Sequence, residues 1–375
     1  MTALVHGTAG ELVPARWPGL TLEELQPVLA HYAPLGAVRG VIWHSPRPFA
    51  ASGMVACEAA TVFVKRHDSR VRSQADLREE HALIAHLHRA GAPVPRVLPA
   101  RYGETAPAAG GYTYEVHALL PHADPYRDAV SWSPFASVAH ARDAGRALAL
   151  LHRAAAGFTA PPRRTGLLVA DFRIFGGPDP MAGLARRIAA EPLLAAALAP
   201  RDWRGDIART LLPLHAQLTP HLSGLPPLWT HNDFHASNLL WTGHDAGAVV
   251  AAVLDFGLAN RTTAMFDVAT AIERNAVEWL RLGEPDIPHT DIASAIIGGY
   301  CAERRPSAAE MRALPLLLPL VHAEFALSEL AYFHGIAGNT ADSDAAYNDF
   351  LLGHAAWFGT ASGQHFTEAV RDAIS

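Results

Sequence analysis

Residues 228–260 read LWTHNDFHASNLLWTGHDAGAVVAAVLDFGLAN, and the fold is decided in this stretch. His231-Asn232-Asp233-Phe234-His235-Ala236-Ser237-Asn238 comes first, and Val253-Leu254-Asp255-Phe256-Gly257 follows it. Phosphoryl transfer needs a carboxylate to receive the proton of an attacking hydroxyl, and oxygen ligands for the magnesium that neutralises the phosphates. An Asp, an Asn five positions later and an Asp-Phe-Gly opening the next segment supply those parts in order. Leu239-Leu240-Trp241 reads as a short strand, Ala248 to Leu254 as a second, and residues 244–247 as the turn between them. Such a hairpin brings Asn238 and Asp255 close together. One amide oxygen and one carboxylate are a sufficient protein share for Mg2+, which keeps several waters.

Outward from this stretch, composition narrows the class. The chain has 375 residues, half of them hydrophobic, enough for a large core or two lobes. A formal charge of −6 argues against general nucleic-acid binding. The charge is uneven: residues 38–101 hold ten Lys/Arg against five Asp/Glu, and residues 261–375 hold seven against fifteen. This distribution suits phosphates at one end and a cationic compound at the other, or simply a solvated surface. Cys57 and Cys301 give neither a disulfide framework nor a zinc pattern, which fits a reducing cytoplasm. The first thirty residues carry Glu11, Arg16, Glu23 and Glu24 without an apolar core, so no signal peptide is expected there. No apolar run reaches membrane-spanning length.

The front of the chain reads as strands. Thr21 caps a short amphipathic helix over 21–32, and Gly40–His44, Met54–Cys57 and Thr61–Arg66 follow as strands. The loop 45–53 between the first two is poor in glycine, with Gly53 its only one, yet Ser52 and the backbone amides suit phosphate. Lys65 ends the third strand and is the only lysine in the chain, all other Lys/Arg positions being arginine. A compact ammonium fits among phosphate oxygens in a way that a guanidinium fork does not. A helix is expected over 76–90, stopped by Gly91, and a strand over 112–120.

On these residues the chain resembles the aminoglycoside phosphotransferase/choline kinase-like family, relatives of the protein kinases. The family loop reads His-Gly-Asp-x-x-x-x-Asn, and this chain has Asn232 where the glycine stands. The resemblance implies an α+β, two-lobed protein-kinase-like fold with a small β-rich N-lobe and a larger helical C-lobe. It places an N-terminal helical extension at 1–37, a nucleotide-binding lobe at 38–120 and a catalytic, acceptor-binding lobe at 121–375. It implies Asp233 as the catalytic base and Asn238 and Asp255 as the Mg2+ ligands. Lys65, positioned by Glu80, goes to the ATP phosphates with Ser52 and Gly53, and Glu79 is the alternative to Glu80. Asp267 is implied as a support of the catalytic loop or as a first-turn helix acid.

The expected activity is transfer of the γ-phosphate of ATP to a hydroxyl of a small amine, amino acid, sugar or nucleoside-like acceptor. His231 reads as a packing residue of the loop, and His235 as an acceptor-side contact. A protein Ser/Thr kinase and a catalytically dead nucleotide-binding protein remain alternatives. Against the former, His235 stands where protein kinases place a lysine, and no Ala-Pro-Glu follows Asp255. Helices are expected at 135–156, 291–302, 308–334 and 341–357. Glu324, Glu329 and His334 read as surface, packing or substrate contacts, and the twenty-one histidines show no metal-binding spacing.

Overall fold

A computed structural model describes residues 4–374. The chain divides into two compact units: the chain up to Ala123 with Ala251–Leu254, and Asp124–Val250 with Asp255–Ser375.

The first unit is built on an antiparallel five-stranded sheet of β3 (Val38–His44), β4 (Ala51–Cys57), β5 (Thr61–Asp68), β7 (Tyr112–Ala118) and β6 (Ala108–Ala109), in that order. Alternation drives it: Val62 and Val64 of β5 are buried beside Val55 of β4 and Val116 of β7. Helix α1 (Leu22–Leu29), capped by Thr21, places Leu25, Val28 and Leu29 in this same core. A small hairpin of β1 (Leu4–His6) and β2 (Leu12–Pro14) precedes it. The first 37 residues therefore carry strands as well as a helix, and their helix is part of the core of this unit. Helix α2 (Gln74–Arg89) starts two residues earlier than the sequence suggests, because Ser73 and Asp76 form a capping box there.

The expected loop 45–53 is shorter in the structure. Strand β4 already begins at Ala51, so Ser52 and Gly53 lie within it, opposite Lys65 and Val64. Gly53 has a packing reason to be glycine: a Cβ there would sit 2.3 Å from the Trp43 carbonyl oxygen on β3.

The second unit is mostly helical. Helices α3 (Val138–Ala155) and α9 (Thr290–Glu303) pack closely because Gly145 and Gly299 admit backbone, a Cβ at either meeting a main-chain oxygen within 2.0 Å. Strands β8 (Pro227–Thr230) and β11 (Asn260–Thr263) pair antiparallel on either side of residues 231–259. Between them β9 (Leu239–Trp241) and β10 (Val250–Val253) form the expected hairpin. Helix α8 (Ala264–Ala276) follows β11 and is buried along its whole length. The helix expected over 308–334 is two, α10 (Ala308–Leu317) and α11 (Ala323–Gly335). Pro319, which has no N–H to donate, lies in the break. The segment expected over 341–357 contains a π-helical stretch at Ala346–Gly353, and a last helix, α14 (Ala361–Ala373), was not foreseen. No helix among the described residues is long and apolar enough to cross a membrane.

Candidate active site

The loop after β8 is held from beneath by one carboxylate. Asp267, fully buried in the first turn of α8, accepts the main-chain N–H groups of His231 and Asn232, each at 2.8 Å. His152 Nε2 of α3 lies 2.9 Å from the same carboxylate. Asp267 is thus a support of the loop, which decides between the two roles open at the sequence level.

Asn232 has φ +61°, in the left-handed region where glycine and asparagine are tolerated best. The departure from glycine is therefore accommodated by the backbone. The asparagine adds bonds of its own: its Oδ1 accepts from the hydroxyls of Thr230 and Thr262, at 2.9 and 3.0 Å, tying β8 to β11.

With the loop fixed, Asp233 is presented with a partly exposed side chain. Asn238 donates to both its main-chain oxygen, at 2.9 Å, and its Oδ2, at 3.1 Å. Arg274 Nη2 stands 3.5 Å from Asp233 Oδ1, and His235 Nε2 3.6 Å from Oδ2. Burial pushes the Asp233 carboxyl up, but His235 and Arg274 outweigh it and hold the group well below the usual carboxylate range. It is ionised throughout the neutral range. His231 packs its ring edge-on against Phe256, centroids 4.8 Å apart, as expected of a packing residue.

Asp255 also has positive φ, +55°, and its Oδ1 accepts the Gly257 N–H at 3.2 Å. The Asn238 amide nitrogen donates to Asp233, so of its two polar atoms the oxygen is the one suited to a hard cation. Asp255 and Asn238 together offer the oxygen donors that Mg2+ prefers.

In the first unit, Lys65 lies on β5 between Ser52 and Glu115 in register. Its ammonium is 3.9 Å from Glu115 Oε1. Glu115 was not singled out in the sequence, where it is one polar residue of a strand. In the fold it is buried, with His67 Nε2 at 3.0 Å from one oxygen and His81 and His117 Nε2 each at 2.9 Å from the other. Burial raises its pKa, yet His117, Lys65 and His67 more than compensate and keep it ionised. Glu80 of α2 is buried and Glu79 is partly exposed.

A second polar cluster lies beside Asp233. Arg274 reaches from Asp233 to Glu273, its Nε 3.7 Å from Glu273 Oε2. Glu273 Oε1 accepts the indole N–H of Trp132 at 3.1 Å and has His354 Nδ1 at 3.5 Å. Glu329, on α11, places Oε2 at 3.4 Å from His322 Nε2. Sequence reasoning separated these groups. Neither this cluster nor the one around Glu115 has a local histidine spacing, yet each brings two histidines and a glutamate within reach of one another. Glu324 takes a different part: it accepts main-chain N–H groups of Ile174 and Phe175 at 2.8 and 2.9 Å and orders that turn. His334 is exposed at the end of α11. Asp171 pairs with Arg173, and Asp179 caps a helix, so both are structural.

Burial raises the Glu329 pKa to about 8. A carboxyl that holds its proton in the folded state up to that pH, but only to about 4.5 when unfolded, makes the native protein lose stability as pH rises between the two. Glu329→Gln is accordingly expected to raise the melting temperature at pH 9 and leave it unchanged at pH 4. Equal effects at both pH values would show that Glu329 does not titrate in this way.

A small antiparallel sheet bearing one lysine, a helical unit bearing an Asp-x-x-x-x-Asn loop and a following Asp-Phe-Gly are the parts of the kinase fold. Residues 54–314 match the model of the "Phosphotransferase enzyme family", and the chain belongs to that family. A homoserine kinase of Rhodopseudomonas palustris (strain TIE-1) is 30% identical over 254 residues, 66% of this chain and 66% of that one. The match thus spans just under two thirds of that relative's length. Among solved structures, a microcompartment-associated aminopropanol kinase has a TM-score of 0.56 at 17% identity, covering 92% of this chain and 99% of that one. Amicoumacin kinase in complex with AMP-PNP, Ca2+ and its ligand gives 0.54 at 15% identity, covering 92% and 93%. At those identities the likeness speaks for the fold.

Proposed function

We propose that this protein transfers the γ-phosphate of ATP to the hydroxyl of a small amino-acid-like or amino-alcohol acceptor, with homoserine the first compound to test. The observation that carries the reading is the Asp233–Asn238 pair, clamped from below by Asp267 and followed by Asp255 in a strained left-handed turn. The homoserine kinase relatives favour an amino acid as acceptor.

Asp233 is assigned to the acceptor hydroxyl, orienting it and taking its proton as the phosphoryl group transfers. Its low pKa makes it a weak base, which suits a reaction whose proton leaves late and whose catalysis is mostly positioning and charge neutralisation. Asn238 and Asp255 are assigned to Mg2+, which when bound neutralises the phosphate oxygens. Lys65 is assigned to the α- and β-phosphates, with Glu80 and the histidine-clamped Glu115 as the carboxylates that orient it. Ser52 and Gly53 are assigned to nucleotide binding through the strand and loop that lead into it, and His235 to the acceptor side of Asp233.

Lys65→Arg tests the lysine assignment without removing charge. A misplaced cation at a phosphate costs on the order of 10²-fold, so kcat/KM for ATP is expected to fall by about that factor, as read in a coupled ADP-release assay. Wild-type kcat/KM for ATP in this variant would remove Lys65 from the phosphate site.

A further inference from the structure

The cluster beside Asp233 holds buried polar atoms that its own side chains do not satisfy. Among the described residues, Glu273 Oε2, Glu329 Oε2, His322 Nε2, His354 Nδ1 and Arg274 Nε are buried without a hydrogen-bond partner. Buried polar atoms in native proteins are nearly always paired, so five in one place point to a missing occupant. The side chains that carry them are all at least nine-tenths buried.

The chemistry of the occupant follows from the charges. Two glutamates face the cluster and Asp233 adjoins it. One fixed cation, Arg274, is shared between Asp233 and Glu273. Burial keeps His322 neutral, its pKa far below the ordinary value even though Glu273 pulls the other way. Burial raises the Glu329 pKa to about 8 in the absence of a cation of its own, and an ammonium placed beside it favours the ionised carboxylate. Two buried carboxylate oxygens, Glu273 Oε2 and Glu329 Oε2, stand against one fixed cation, and a protonated amine supplies positive charge with three donors on one centre. Trp132 lines the same place, its ring 5.5 Å from His354 and 5.6 Å from His322, and an aromatic face favours a desolvated ammonium. The backbone at Trp132 has φ +59°, an unusual conformation for a bulky residue, and it keeps the indole N–H on Glu273.

We propose that Glu273 and Glu329, with Trp132 beside them, form the binding subsite for the ammonium group of the phosphate acceptor. The inference rests on the reading of Asp233 as the group that takes the acceptor hydroxyl. A single guanidinium, that of Arg274, spans from Asp233 to Glu273, so hydroxyl and ammonium belong to the two ends of a short molecule. The acceptor class is a short amino alcohol or hydroxy amino acid. An acceptor whose only charge is negative is rejected, because it would bring an anion against two buried glutamates.

The test separates binding from turnover. Binding of 3-aminopropan-1-ol and of 4-hydroxybutyrate, which share the hydroxyl but differ in charge, is measured by saturation-transfer NMR on the full chain with AMP-PNP and Mg2+. The amine is expected to bind and the carboxylate not. Glu329→Gln is expected to weaken the amine about 10²-fold, the scale for loss of one partner of a buried charge pair. Glu273→Gln gives the same readout if the first variant does not fold. Phosphorylation of the amine is then followed with ATP. Binding without phosphorylation would leave the subsite in place and refute the kinase reading. Equal binding of both compounds, no binding of the amine, or unchanged affinity in a folded Glu329→Gln or Glu273→Gln variant would overturn the subsite. So would stoichiometric Zn2+ binding that Glu273→Gln or His354→Ala abolishes, which would assign the cluster to a metal.

Discussion

Asp233→Asn is expected to lower kcat by about 10²–10⁴, the usual contribution of a positioned base, while nucleotide affinity stays at the wild-type level. The amide is isosteric and still accepts the bond from Asn238, so the loop keeps its shape. It cannot receive a proton from the acceptor, and Arg274 loses the charge it faces at 3.5 Å. Single-turnover kinetics with bound ATP isolates the chemical step from binding. Undiminished phosphoryl transfer would exclude Asp233 as the base. Because His235 and Arg274 outweigh burial and leave the carboxylate ionised well below neutral pH, its titration is not expected to shape the activity profile between pH 6 and 9.

The second large effect lies one layer below. Asp267→Ala leaves the N–H groups of His231 and Asn232 and the His152 ring without their acceptor in a fully buried place. Removing one partner of a buried charged network costs about 3–5 kcal/mol. The fold is expected to lose that much in urea unfolding, and the surviving folded fraction to lose turnover, because Asp233 follows directly on the two freed peptide groups. Asp267→Asn keeps one acceptor oxygen and is expected to recover part of both losses. Wild-type stability in Asp267→Ala would mean that the loop is held by its other contacts, chiefly Asn232 to Thr230 and Thr262.

What the sequence made legible was local. Asp233, Asn238 and Asp255 sit within one stretch whose spacing carries chemistry, and the hairpin between them forms as its turn residues require. The substitution of Asn232 for glycine looked like a departure and proved to preserve the backbone requirement, since φ +61° is what that position demands. Lys65 stood out by being alone. Glu115 gave no such signal, because its meaning comes from His67, His81 and His117, which reach it across the sheet and from α2.

The acceptor-side cluster was the least readable part. Trp132 and Glu273 are 141 positions apart, and His322 belongs to a break that a continuous helical pattern over 308–334 concealed. The signal available was Pro319, which has no N–H to donate and marks the break between the two helices. Glu324 and Glu329 looked equivalent on one helix. The fold separates them, since one caps a turn with three backbone bonds, from Arg173, Ile174 and Phe175, and the other is buried against His322. Periodicity assigns residues to faces, whereas which distant face comes to meet them is a property of packing.

The most direct measurement is phosphorus-31 NMR of the protein with ATP, Mg2+ and either homoserine or 3-aminopropan-1-ol. A new phosphomonoester resonance growing in step with ADP, and absent in Asp233→Asn, is the expected result. ATP left intact, or converted to inorganic phosphate alone, with both acceptors would contradict phosphoryl transfer to a small amine-bearing alcohol.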